Sequence, residues 1–174
     1  MSFESLDAGE FMKTLIANSP ITITTLHPEY LERVVEIEKC NSMESNPLGG
    51  AWSQKDFKDV LACPTRSGIV AWQDGKIVGF AVYTATKDKI HIANLAVHAD
   101  YVNRGIGSML IGKLKNKMKP KRRNTLEIDV RETNLHACNF LKKHGFKAFD
   151  VCRNWYEQPR SEDAYKFRYT LADE

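Results

Sequence analysis

The stretch Asn94-Leu95-Ala96-Val97-His98-Ala99-Asp100-Tyr101-Val102-Asn103-Arg104-Gly105-Ile106-Gly107-Ser108 decides the fold. An apolar strand ends at Val97, a short polar loop follows, and two glycines open a long amphipathic helix. Backbone N–H groups at a helix start lack intrahelical acceptors and lie at the positive end of the helix dipole. Glycines there let a large anion rest directly on those groups, so a diphosphate-bearing ligand is the natural guest. A dinucleotide fingerprint needs a third glycine where Leu110 stands, and an ATP-type phosphate loop needs Gly-Lys-Ser/Thr. Neither is met. The plain alternative is a helix opening that binds nothing.

Outward from that turn, Ile90 to Val97 reads as a strand and Gly105 to Met118 as a helix. Leu110, Ile111, Leu114 and Met118 form its buried stripe, with Lys113, Lys115 and Lys117 mostly outside. Downstream, Leu126 to Arg131 is a strand whose alternation sets Glu127, Asp129 and Arg131 opposite Leu126, Ile128 and Val130. Asn134 to His144 is a helix closed by Gly145, and Phe146 to Cys152 and Tyr165 to Leu171 finish a sheet. Upstream, Ser67 to Trp72 and Lys76 to Thr84 form a hairpin through Gln73-Asp74-Gly75. Ser53 and Asp56 make a capping-box start for a helix ending near Pro64. Pro28 opens an earlier helix with Leu31, Val34, Val35 and Glu38 along one side, after a first strand from Ile21 to Leu26. Residues 1–20 read as an N-terminal extension carrying a short helical pattern at Phe11, Met12, Leu15 and Ile16. Residues 21–174 read as one domain, with a polar loop from Asn41 to Gly50. Hairpins alternating with crossover helices imply an α/β fold with a mixed sheet.

Composition narrows the function classes. The chain has 174 residues, 43% hydrophobic and 27% charged, and no apolar run long enough to span a bilayer. Its N-terminus lacks a basic start and apolar stretch, and its four cysteines have no metal-ligand spacing. These features predict a cytoplasmic protein with reduced thiols, no metal and no membrane partner. Residues 1–87 hold 8 Lys/Arg against 11 Asp/Glu, whereas residues 88–174 hold 17 against 11. The basic half carries the glycine turn, which suits a polyanionic ligand. The acidic half suits a cationic substrate such as a protonated amine. The basic run Lys113 to Arg123 falls at a helix exit without interleaved aromatic residues, so it reads as a solvated helix end, not a nucleic-acid patch.

Several landmarks together resemble the GNAT acetyltransferase superfamily. Val102-Asn103-Arg104-Gly105-Ile106-Gly107 is similar to its Gln/Arg-x-x-Gly-x-Gly/Ala pattern, with Val102 at the first position. Asp129-Val130-Arg131-Glu132-Thr133-Asn134 and Gly145-Phe146 resemble the Glu-Val-Arg-x-x-Asn and Gly-Phe landmarks. Ala51-Trp52-Ser53 with Phe57, Asn154-Trp155-Tyr156, and Glu162-Asp163-Ala164 resemble the branch that acetylates protein N-termini, the ribosomal-protein-alanine acetyltransferases.

The resemblance implies the GNAT fold, a mixed and mostly antiparallel central sheet flanked by helices on both faces. It also implies acetyl-coenzyme A as cosubstrate and a primary amine, preferably a peptide or protein N-terminus, as acceptor. Leu95, Ala96 and Val97 are then expected to pair with the pantetheine amides. Asn103, Arg104, Gly105, Ile106, Gly107 and Ser108 would hold the pyrophosphate, and Asn134 the pantetheine end. An amine must lose a proton before or as it attacks, so a carboxylate or imidazole is needed as base. Asp129 is the candidate, standing where the relatives carry Glu, and His91 is the alternative. Leu141 stands where the family has a tyrosine that protonates the leaving sulfur, which leaves Tyr156 or water for that task. Tyr156 has a competing role in shaping the acceptor groove, with Trp52 and Trp155. Two other readings stay open: acetylation of small-molecule amines, and a non-catalytic acyl-coenzyme A-binding module.

Overall fold

The computed structural model describes residues 19–41, 51–157 and 161–171. The expected helical segment at Phe11–Ile16 and the loop after Asn41 lie outside the described residues. The strands are β1 (Thr22–Thr25), β2 (Arg66–Gln73), β3 (Lys76–Ala85), β4 (Lys89–Val97), β5 (Thr125–Arg131), β6 (Lys147–Tyr156) and β7 (Glu162–Thr170). They form one sheet in the order β1-β2-β3-β4-β5-β7-β6. The β4–β5 pair is parallel, and the other five neighbouring pairs are antiparallel. The sequence-based strands are therefore met, but β7 inserts between β5 and β6, out of chain order.

Helices α1 (Leu31–Lys39) and α2 (Gln54–Leu61) cover one face, and α3 (Ile106–Lys115) and α4 (Leu135–Lys143) the other. Local chemistry sets their ends. A 3-10 turn at Pro28–Tyr30 leads into α1, so the helix expected at Pro28 begins with that tighter turn. Ser53 and Asp56 form the reciprocal capping box at α2, and those hydrogen bonds hold the Asp56 carboxyl below its usual range. At the β2–β3 hairpin, Asp74 and Gly75 take φ of 53° and 70°, the left-handed pair that a two-residue turn needs. The cores follow: Val34, Ile37, Phe57, Phe80 and Val82 on the α1–α2 side, and Ile90, Ile92, Leu110, Ile111, Leu114, Leu126 and Phe167 on the other. The buried stripe of α3 is as expected, down to Met118.

Two expectations are corrected, and one strand carboxylate finds partners that alternation does not report. Lys115 turns inward: its Nζ donates to the His144 carbonyl at 2.6 Å and lies 3.5 Å from the Tyr169 ring centroid. Burial lowers its pKa, and the contact ties the end of α3 to the end of α4. Strand β6 runs on through Asn154 to Tyr156, past a register shift with Asn154 at φ 51°. Glu127 is buried because its carboxylate accepts from Lys89 Nζ at 2.7 Å and Arg168 Nε at 2.7 Å. Burial raises its pKa, but the bonds from the two cations outweigh that and the net shift is downward. A carboxyl with a depressed folded-state pKa stabilises above its unfolded value, near 4.3, and loses that contribution as pH falls through the folded value. Glu127→Gln should therefore cost about 1–3 kcal/mol at pH 7. In thermal unfolding the deficit should shrink as pH falls below about 4. A deficit independent of pH would sink this account.

Candidate active site

The site begins where β4 and β5 part. Their pairing runs from Lys89↔Thr125 to Ile92↔Ile128 and stops. At the same point the β3–β4 register steps from Tyr83↔Ile92 to Val82↔Asn94, leaving Ala93 as the extra residue of a bulge. The bulge switches the strand's phase. Ile90 and Ile92 face the α3–α4 core, whereas Ala93 and Ala96 face the α1–α2 core. Past Ile92, β4 stays paired to β3 and β5 to β7 while a throat opens between them. Its walls include Ala93 to Ala96 on one strand and Ile128 to Arg131 on the other, with Asn134 and Tyr156 beyond.

On the α3–α4 side the throat widens into a cleft of about 480 Å³, within the 300–1,000 Å³ of small-molecule sites. Leu95, Ala96, Val97, Asn103, Gly105, Ile106, Gly107, Ser108 and Asn134 all line it. Asn103 and Gly105 are left-handed, at φ 60° and 80°. The first N–H to bond within α3 is that of Met109, to Gly105 O at 3.0 Å. The N–H groups of Ile106, Gly107 and Ser108 thus have no intrahelical acceptor. No side chain caps this end and its first turn holds no acid. That leaves a positive helix end for a diphosphate. Gly107 has a second role, since a Cβ there would meet the Phe140 ring at 3.1 Å. Arg104 is the expected member that does not line the cleft; its guanidinium donates to Asp100 O and lies over Tyr101.

Helix α4 supplies the opposite wall. Asn134 caps it, its Oδ1 accepting from the Ala137 N–H at 3.0 Å. His136, Asn139, Phe140 and Lys143 then face the cleft, with His144 just past the helix end. The sequence reading missed these residues, although their spacing puts them on one helical face. His144 Nδ1 meets the Phe140 carbonyl at 2.8 Å, which makes it the protonated nitrogen, and Nε2 accepts from Ser108 Oγ at 2.9 Å. Lys143 adds a cation to the same cleft. These donors fit a diphosphate-bearing ligand.

On the α1–α2 side lies a second cleft, of about 340 Å³, with Trp52, Val60, Arg66, Thr84, Trp155 and Tyr156 in its walls. Trp52 is buried against Phe57 and Trp155 is exposed. Asp129 and Tyr156 line both this cleft and the throat, so the two adjoin where β4 and β5 part. Asp129 Oδ2 lies 3.3 Å from His91 Nε2, bringing the two expected base candidates together. Arg131 stacks on the Tyr156 ring at 4.0 Å and lies 3.9 Å from Glu162. Burial, with the Asp129 charge, pushes the Tyr156 hydroxyl up to about 12. Among the described residues, no group of three or more His, Cys, Asp and Glu side chains is placed to hold a metal ion. None of their helices is long and apolar enough to cross a membrane.

Residues 32–146 match the family model for the acetyltransferase (GNAT) family. The chain belongs to the GNAT family. Membership brings the enzyme class, N-acetyl transfer, and the cosubstrate acetyl-coenzyme A. The chain is 35% identical over 88 residues to the [ribosomal protein bS18]-alanine N-acetyltransferase of Haemophilus influenzae, covering 50% of this chain and 59% of that one. It is 31% identical over 105 residues to the protein of the same name from Escherichia coli K12, covering 60% and 70%. The crystal structure of the E. coli ribosomal-protein-S18-alanine N-acetyltransferase superposes with a TM-score of 0.76 at 26% identity, over 89% of this chain and 97% of that one. As a GNAT fold, the observed sheet and two helical layers are those expected from the sequence.

Proposed function

We propose that this GNAT protein transfers the acetyl group of acetyl-coenzyme A to the free amino terminus of a peptide or protein, by direct attack of the amine on the thioester. One observation supports the reading: three adjoining cavities with shared walls run from the open N-terminal end of α3 to an aromatic-walled cleft, and Asp129 lines the two nearer that cleft. The relatives named for ribosomal-protein alanine acetylation support the acceptor class. So does ordinary amine chemistry. An α-amino group near 7.7 is far more often unprotonated at neutral pH than a lysine near 10.4.

In this reading the anion-binding turn and the open edge of β4 orient the thioester, and the Trp52–Trp155 cleft admits the acceptor. Asp129 takes the amine proton, directly or through one water, because Asp is a methylene shorter than the relatives' Glu. His91 is a positioning residue, its Nε2–H holding the carboxylate. Tyr156 hydrogen-bonds the departing sulfur. With its hydroxyl near 12 and a thiol near 8.5, outright proton transfer from it is uphill by more than 4 kcal/mol. That barrier falls once Asp129 is protonated and its charge is gone. Leu141 is buried in the α3–α4 core, so no hydroxyl comes from that position. Free thiols at Cys40, Cys63, Cys138 and Cys152 fit a reducing compartment such as the cytoplasm.

Thiol release from acetyl-coenzyme A should rise with peptides bearing free Ala, Ser, Met or Gly termini. Release with polyamines or other small amines alone would move the acceptor class to small molecules. Tight cofactor binding with no release across the panel would favour a binding module, the reading that Leu141 supports.

A further inference from the structure

We infer that Asn94 is a substrate-binding residue whose side-chain amide donates to a carbonyl oxygen at the reacting end of the throat. This rests on the acetyl-transfer reading above. Asn94 is 3% exposed, and its Nδ2 has no hydrogen-bond partner among the described residues. Leaving a buried amide N–H unbonded is costly, and such groups in native proteins are few. Place explains it. Asn94 follows the Ala93 bulge, at the position where β4 has left β5, and it lines the throat opposite Asp129, Val130 and Arg131. The bulge turns it away from the α3–α4 core that holds Ile90 and Ile92. An apolar side chain would satisfy packing at this position with no orphaned group, so the amide stands out as ready for a ligand.

The complement of an N–H donor is a carbonyl oxygen, and two reach this point. One is the thioester carbonyl, whose oxygen gains negative charge as the amine attacks. The other is the first peptide carbonyl of the acceptor. Rotation about χ2, a soft torsion, is the motion by which the amide would turn its N–H toward that oxygen.

The side-chain amide signals of Asn94, assigned by their absence in Asn94→Leu, can be followed by 1H–15N NMR. Ligands are added in turn: coenzyme A, acetyl-coenzyme A, then coenzyme A plus an alanine-terminated peptide. A shift with acetyl-coenzyme A and not coenzyme A identifies the thioester carbonyl. A shift only when peptide joins coenzyme A identifies the peptide carbonyl. Asn94→Leu should unfold at the parent's temperature or above it, bind coenzyme A normally, and lose about 10- to 100-fold in kcat/KM. Signals unmoved by all three, signals moved equally by coenzyme A alone, or a lower unfolding temperature for Asn94→Leu would each overturn the assignment. Absence of transfer by the parent protein would strike the acetyl-transfer reading instead, and the amide shift would still decide this one.

Discussion

Asp129→Asn is expected to lower kcat for a peptide acceptor by about 100- to 10,000-fold while leaving acetyl-coenzyme A affinity within about twofold. The substitution is nearly isosteric. An amide oxygen still accepts from His91 Nε2, so the local hydrogen bond at 3.3 Å survives. What disappears is a group able to take a proton from the attacking amine. Asp129 lines the throat and the acceptor cleft and not the diphosphate end, which is why cofactor binding should be spared. Steady-state thiol release and calorimetric titration with acetyl-coenzyme A check the two halves separately. Near-parental kcat would remove Asp129 from the base role and shift attention to His91.

Gly105→Val is expected to do the opposite, weakening acetyl-coenzyme A binding by about 10- to 100-fold and lowering the unfolding temperature. The cause is backbone conformation. No heavy atom lies within 4 Å of a Cβ built at Gly105, so crowding plays no part. At φ 80°, however, an L-residue costs about 1–2 kcal/mol, and a β-branched one more. Relaxing that strain swings the N–H groups of Ile106 to Ser108 away from the diphosphate. Gly105→Asn is the discriminating control, because asparagine tolerates the left-handed region. If Asn and Val impair binding equally, the conformational account fails.

Much of this site was legible in the sequence wherever one residue type has a single conformational use. The Gly105 turn, the Ser53–Asp56 box, the Asp74-Gly75 hairpin and the Asn134 cap each declare local geometry through short-range chemistry. Periodicity then gave the buried stripe of α3. Other features depend on contacts between distant segments. The Ala93 bulge arises from how β4 is shared between β3 and the start of β5, which no alternation pattern in β4 reports. Lys115 looks solvent-facing by helical spacing, yet the His144 carbonyl and the Tyr169 ring, both from later segments, draw it inward. Alternation places Glu127 only on the polar-bearing face of β5, and its ion pairs come from Lys89 and Arg168 on other strands. The cleft-facing side of α4 was readable in principle from its spacing, but a polar face looks the same whether it meets water or a ligand.

The insertion of β7 between β5 and β6 has a consequence for how the enzyme is made. Strands β1 to β4 are consecutive neighbours and can zip together as they leave the ribosome. Strand β5, which carries the proposed base, then has four paired positions on β4 and must wait some forty residues for its other neighbour. Until Glu162–Thr170 is synthesised, β6 has no strand to join. The strand that carries the proposed base therefore gains its second neighbour only when β7, the last strand among the described residues, has been made.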